Sequence, residues 1–376
     1  MKCKKYTLEE LVSIKYGKSQ KKVVSENGTI PIYGTGGQMG YATEFIYDKP
    51  SVLIGRKGTI SKVRYVEHPF WTVDTSFYTI VNTDIVIPKY LYYVMSQIDL
   101  NRYNEGTTIP SLRKETLNRL EFYIPSLEEQ KRILEFLEPI DNKIKINDII
   151  NNNLLEQADS IFKSWFIDFK PFNNKFPTDW NNGTIEDLSE EIICGKTPST
   201  KKKEYYGNDI PFITIPDMHN STYIIKTERY LSILGADSQP KKTLPKNSIC
   251  VSCIGTAGLV SLVSIDSQTN QQINSIIPKK NISPYYIYLL MRGKYDEINK
   301  YGQGGSTIVN LNKREFSKLE VTIPSNDVLL KFDKIVKHMF EVILNNQNEN
   351  EKLSNLRDYL LPNLINGIMD VSQIDI

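Results

Sequence analysis

The feature that most limits what this chain can fold into is that it runs through one plan twice. "GTTIPSLRKETLNRLEFYIPS" occupies residues 106 to 126, and "GSTIVNLNKREFSKLEVTIPS" occupies 305 to 325. A shift of 199 residues superimposes Gly106 on Gly305, Thr108 on Thr307, Leu120 on Leu319, Glu121 on Glu320 and Pro125 on Pro324. Upstream the match persists with smaller shifts, as loops of unequal length require. "TLEEL" (7 to 11) answers to "TIEDL" (184 to 188), "YGK" to "CGK", and "TIPIYG" to "DIPFIT". "KGTISKV" (57 to 63) answers to "IGTAGLV" (254 to 260), and "KYLYYVM" (89 to 95) to "YYIYLLM" (285 to 291). Solenoid repeats are about 20 to 50 residues long, so a period this large is a duplicated domain plan rather than an array.

Each copy passes from a mixed α/β segment directly into a rod. Alternating steps of four and three place Ile133, Leu137, Ile140, Ile144, Asn147, Asn151, Leu154, Ala158, Ile161 and Trp165 on one seam. The second rod places Val328, Phe332, Ile335, Met339, Val342, Asn346, Glu349, Leu353, Leu356 and Leu360 likewise. That spacing is the 3.5-residue repeat of a coiled coil. A lone amphipathic helix cannot cover its own stripe, so each rod is expected to lie against the other. Pro139 is expected to kink or interrupt the first. Asn147 and Asn346 lie 199 residues apart on the seam, which predicts that they meet and fix the helix register. A slip of one heptad would move a rod by ~10 Å. "DFKPFNNKFPTDWNNG" (168 to 183) reads as the linker that ends the first rod.

Within each globular copy, "SVLIGRKGTISKVRYV" and "SICVSCIGTAGLVSLVSI" read as hairpins, and "PKYLYYVMSQ" and "SPYYIYLLMRG" as short helices opened by proline. The predicted fold is α+β: two globular α/β domains (1–125 and 171–324, the latter opening with a 171–180 linker) separated by two long antiparallel coiled-coil helices (126–170 and 325–376) in a pseudo-twofold duplication.

Charge is sorted along this plan. The total is only +2, yet residues 1–125 carry +5, 126–170 carry −3, 171–324 carry +3 and 325–376 carry −3. Basic lobes on an acidic frame suit a duplex that touches the lobes, because phosphate contacts supply most non-specific affinity. Four cysteines (Cys3, Cys194, Cys250, Cys253) make no disulfide framework. "MKCKKYTLEE" has no apolar signal core, and no run of 18 apolar residues exists, so a soluble cytoplasmic protein is expected.

Several motifs invite an enzymatic reading and fail it. "YGKS" and "CGKT" end like a phosphate-binding loop, but Val12 and Glu190 stand where its first glycine is needed. "CVSC" (250 to 253) has no second ligand pair, and His68, His219 and His338 are scattered, so buried strand cysteines are expected rather than zinc. No pair of catalytic acids recurs in both copies. The chain reads as a binder.

Residue chemistry then nominates a DNA-binding set. In the first copy it is Thr35 and Gln38 in the glycine-rich "YGTGGQMGY", Arg56, Lys57, Thr59, Ser61 and Lys62 on the hairpin, and Thr107 and Thr108. In the second it is Lys196, Thr197, Lys201, Thr256, the "DSQTNQQIN" residues Gln268, Asn270, Gln271 and Gln272 (with Asn274 beside them), then Gln303, Ser306 and Thr307. Arg and Lys suit guanine, and Asn and Gln suit adenine, in the major groove. The Gln/Asn run is taken as the counterpart of the Arg/Lys hairpin.

The layout, with "GTTIPSLRKETLNRLEFYIPSLEEQKRI" (106 to 133) and "FPTDWNNGTIEDL" (176 to 188), resembles the specificity subunit of type I restriction–modification systems. The second copy departs from it, with "SNDVLLKF" in place of "SLEEQKRI". The resemblance implies two target-recognition domains reading a bipartite, asymmetric double-stranded DNA site, with the helices as spacer. It implies docking of methyltransferase subunits and restriction/translocase subunits. S-adenosylmethionine, ATP and Mg would belong to those partners and no cofactor to this chain, which would itself be non-catalytic. The competing expectation is a duplicated protein-interaction scaffold without DNA binding.

Overall fold

The computed structural model describes residues 2–300 and 310–369. The chain divides into two compact units, Met1–Asn142 with Asn355–Ile376, and Lys143–Ser354. Each unit therefore holds one lobe with portions of both long helices.

Among the described residues the first unit contains nine strands: β1 (Lys4–Thr7), β2 (Val12–Tyr16), β3 (Ile30–Gly34), β4 (Gly37–Ala42), β5 (Ser51–Gly55), β6 (Val63–Val66), β7 (Trp71–Thr72), β8 (Ser76–Val81) and β9 (Glu121–Ile124). An antiparallel sheet runs β2-β8-β5-β6, a smaller one runs β4-β3-β7, and β1 pairs with β9 alone. The helix Pro88–Ser96 packs Tyr90, Leu91, Val94 and Met95 into the core over β5 and β6. Its proline stands where a helix needs no amide donor.

The second unit contains β10 (Asn181–Thr184), β11 (Ser189–Cys194), β12 (Tyr206–Ile213), β13 (Tyr223–Ile224), β14 (Arg229–Leu231), β15 (Ile249–Ser252), β16 (Val260–Val263), β17 (Gln268–Thr269), β18 (Ile273–Pro278) and β19 (Glu320–Ile323). Its sheets run β11-β18-β15-β16-β13, β14-β12-β17 and β10-β19. This is the order of the first unit with β13 added at the edge. Both expected hairpins are present as β5–β6 and β15–β16, each antiparallel.

The repeated words of the sequence acquire the same physical job twice. In "TLEEL", the amide and hydroxyl of Thr7 donate to Glu10; in "TIEDL", those of Thr184 donate to Asp187. Each is a capping box that starts a one-turn helix. Its first amide then reaches back to the opposite strand, Leu8 to Leu120 and Ile185 to Leu319.

The long helices run Leu127–Phe166 and Asn326–Ile365, and the first continues through Pro139 without interruption. In the second unit the Asn147 amide donates to Asn350 Oδ1 at 2.8 Å and to Glu349 Oε2 at 2.7 Å, while the Asn346 amide donates to Asn151 Oδ1 at 2.9 Å. As one residue number rises its partner's falls, so the helices pair antiparallel there. Asn147 and Asn346 each take a partner one turn away on the opposite helix instead of meeting. A shift of 199 converts one Asn–Asn bond into the other. On the second helix the most deeply buried stripe is Leu329, Phe332, Val336, Phe340 and Ile343, whereas Ile335 of the expected seam is 41% exposed. The helix packs against its own lobe as well as the other helix, which turns the buried stripe away from a pure coiled-coil seam.

In the first unit the helices are joined differently. Tyr93 donates to Asp141 at 2.5 Å, and Arg357 Nη1 lies 3.1 Å from the same carboxylate. The positions that correspond in the second unit are the buried Leu289, Phe340 and Ala158. Polar in one copy, the junction is apolar in the other.

The stretch read as a linker is packed. Phe169, Asn173 and Asn174 adopt left-handed backbone with φ of 51° to 56°, and Phe166, Phe169, Phe172 and Phe176 surround the Trp180 ring at 5.2 to 5.9 Å.

Candidate nucleic-acid interface

In the first lobe, loops from distant parts of the chain are tied into one surface. The β5–β6 loop is anchored by the amides of Arg56 and Lys57, which donate to Thr75 O at 2.8 and 3.0 Å. The Gly58 amide donates to Pro110 O and that of Leu112 to Arg56 O, both at 2.9 Å. Asn104 Oδ1 accepts the amides of Gly106 and Ser111, closing the "GTTIPS" loop beside them. Lys57, Thr59, Ser61, Lys62, Thr107 and Thr108 are all exposed on these loops. Arg56 is less free, because its Nε donates to Asp74 O at 2.9 Å and its guanidinium lies over the Tyr16 ring.

The repeated "YGK" and "CGK" belong to the same seam. Gly17 donates to Ser76 O and Lys18 to Thr72 O; Gly195 donates to Ile273 O and Lys196 to Thr269 O. A Cβ on Gly17 would collide with the carbonyls of Thr72 and Val73, and one on Gly195 with those of Thr269 and Asn270. The glycines exist so that two backbones can touch, which is why the motif repeats without any phosphate-loop glycine upstream.

In the second lobe the corresponding loop is Cys253–Gly258, held by the Ile254–Asn310 bridge as Lys57–Ser111 holds the first. Thr256 is exposed on it, Lys196 and Lys201 are exposed on the segment that follows β11, and the Thr197 hydroxyl donates to Gln271 Oε1 at 2.8 Å. Gln272 stands beside Gly255. Three expectations need correction. "DSQTNQQIN" is not the counterpart of the Arg/Lys hairpin: Gln268 pairs with Phe212 as Trp71 pairs with Ile32, so the run matches the β7–β8 region. Gln268 is 0% exposed, its amide donating to Ala236 O and Thr243 Oγ1 and its carbonyl accepting from Gln239, which leaves nothing for a base. Asn270 and Asn274 are also buried, engaged with Gln272 and Leu311 O. Gln303, Ser306 and Thr307 lie outside the described residues.

Thr35 sits on the β3–β4 turn and Gln38 in β4, and that turn, with the β5–β6 loop, encloses a cleft of about 310 Å³ lined by Thr35, Thr59, Lys62, Arg64 and Ser76. Arg64 was missed from sequence; its only signal there is its place in β6 two residues after Lys62.

Burial pushes the thiols of Cys250, in β15, and Cys253, just after it, up to about 12. Among the described residues no group of three or more His, Cys, Asp or Glu could hold a metal ion, and no helix is long and apolar enough to cross a membrane.

At the start of the first long helix the "SLEEQ" residues turn inward. Glu129 accepts from the amide and hydroxyl of Ser126. Gln130, 0% exposed, accepts from the Ile87 amide at 2.8 Å and donates to Ile85 O and Pro125 O. At the corresponding position of the second copy stands buried Leu329. The departure noted in "SNDVLLKF" is thus a change of packing inside the lobe.

Two lobes of one topology, each presenting exposed polar loops tied into a single seam and each fused to a long helix, define a duplicated recognition subunit. The family model for the type I restriction modification DNA specificity domain matches residues 2–157 and again 177–357, and the chain belongs to that family. It is 35% identical, over 79% of its length and 81% of the relative's, to the HindI specificity subunit of Haemophilus influenzae. It is 28% identical to the MjaIX specificity subunit of Methanocaldococcus jannaschii, over 88% and 80% of the two chains. A crystal structure of the type I S subunit from M. genitalium shares the fold, with a TM-score of 0.60, 17% identity and coverage of 97% and 96%. The chain is a specificity subunit of a type I restriction–modification system, a class in which catalysis is performed by other subunits of the assembly.

Proposed function

We propose that this subunit reads a bipartite, asymmetric double-stranded DNA target, one half per lobe, across an unspecified spacer. The observation that carries this is the loop seam: the same backbone ties recur in both lobes, but Arg56, Lys57 and Ser61 stand on one and Thr197, Thr256 and Gln271 on the other. A common scaffold with different donors and acceptors reads different bases. Methyltransferase and restriction/translocase subunits dock on the remaining surface in the cytoplasm, bringing S-adenosylmethionine, ATP and Mg. Ile146, Ile149 and Ile150, 39 to 51% exposed on the first long helix, are support for a protein interface.

Methylome mapping in a host carrying this chain with its methyltransferase tests the reading. The expected result is two specified segments separated by a gap. Exchange of residues 178 to 324 for another family member's lobe should then change one segment only. A single contiguous palindrome would overturn it.

A further inference from the structure

We propose that the first lobe carries a phosphate-binding cleft, absent from the second, that seats one DNA backbone phosphate; this rests on the reading above. The cleft of about 310 Å³ is lined by Thr35, Thr59 and Ser76 together with Lys62 and Arg64, with Gly34, Gly36 and Gly55 in its wall. Among the described residues neither cation forms an ion pair. Arg64 is held in place from one side, its guanidinium 5.6 Å above the Tyr33 ring. Its Nη2 would be 3.2 Å from a Cβ at Gly37, whose φ of +136° only glycine adopts readily, so the turn keeps that flank open. Ser76 is 2% exposed and its hydroxyl has no hydrogen-bond partner. A buried hydroxyl without a partner is costly, and an arriving oxyanion removes that cost.

The shape selects the ligand. A base edge in a duplex is recessed in a groove and is met by protruding side chains, whereas a phosphate protrudes and fits a concavity lined by cations and hydroxyls. The second lobe keeps Thr256 at the place of Thr59 but has lost both cations and the unpartnered serine. Val63–Val66 corresponds to Val260–Val263, which places Leu259 at Lys62 and Ser261 at Arg64, and Ile273 stands at Ser76. The Ser261 hydroxyl is already engaged with Ser221 O at 2.8 Å, and Ile273 is buried.

The test is duplex binding by the full chain, with its methyltransferase partner, over a range of salt concentrations. Lys62→Ala with Arg64→Ala should weaken cognate and non-cognate duplexes by the same factor, lower the slope of log K against log salt by about one, and leave the methylated sequence unchanged. Arg64→Lys, which keeps the charge, should keep the slope and controls for misfolding. A duplex with one neutral methylphosphonate at the seated position should lose affinity with the wild type and nothing further with the double variant. An unchanged slope in a variant with wild-type melting temperature overturns the proposal, as does a loss confined to cognate DNA with an altered methylation target, which would make these residues base readers. A wild-type assembly that binds no duplex would instead overturn the functional reading itself.

Discussion

Single side chains decide more here than their motifs suggest. Gln130 satisfies three backbone groups of the first lobe, so Gln130→Leu should destabilise the protein by about 1 to 3 kcal/mol even though leucine is what the second copy uses; denaturant titration checks this, and an unchanged midpoint would mean the loop before Pro88 rearranges. Cys250 and Cys253 illustrate the same point through pH. Their folded thiols titrate near 12 against an ordinary value of 9.0, so their contribution is fully present below pH 9 and is lost as pH rises from 9 towards 12. Native alkylation at pH 8 should therefore mark Cys3, which is exposed, and spare Cys250 and Cys253, as peptide mapping would show. The chemistry of the Gln/Asn run was illegible for a related reason: nothing local distinguishes Gln268, held by four polar groups, from Gln271, which faces solvent. Burial of a polar side chain depends on which distant segment covers it, and here Ala236, Gln239 and Thr243 do so from 25 to 32 residues upstream.

At the level of elements, the duplication, both hairpins, both proline-opened helices and the two long helices were legible because each rests on spacing that survives in sequence. The seam of the second helix was not, because periodicity cannot tell a helix with one neighbour from a helix with two. The asparagines at mid-helix show the limit most clearly. Their position was readable, but their pairing one turn out of step depends on helix register. Asn147 is 1% exposed and its Oδ1 has no partner, so this polar node costs stability while disfavouring other registers. Replacing Asn147 and Asn346 together by leucine should raise the melting temperature while broadening the spacer length accepted in methylome mapping. A lower melting temperature with an unchanged spacer would show that the Asn bonds are a net support and nothing more.

For the whole molecule, two observations bear on activity: the chain belongs to the specificity-subunit family, and the GK pairs serve backbone contact. The purified chain should hydrolyse neither ATP nor DNA and transfer no methyl group, and turnover that survives rigorous removal of partner subunits would refute this. The tyrosine–aspartate–arginine junction has a further consequence, for inheritance. If the first long helix were paired with a second copy of itself, Asp141 would face Ala158 in place of Arg357, and its carboxylate would stand beside Tyr93 with no cation. The second helix paired with its own copy would set Arg357 against Phe340. Each half of the ancient duplicate has thus become addressed to the other, and drift at Asp141 must be answered at position 357 or not tolerated. The loop seams carry no such obligation across the duplication. Recombination between related genes is therefore free to trade lobes and change what is read, while the paired helices descend together as a single inherited unit.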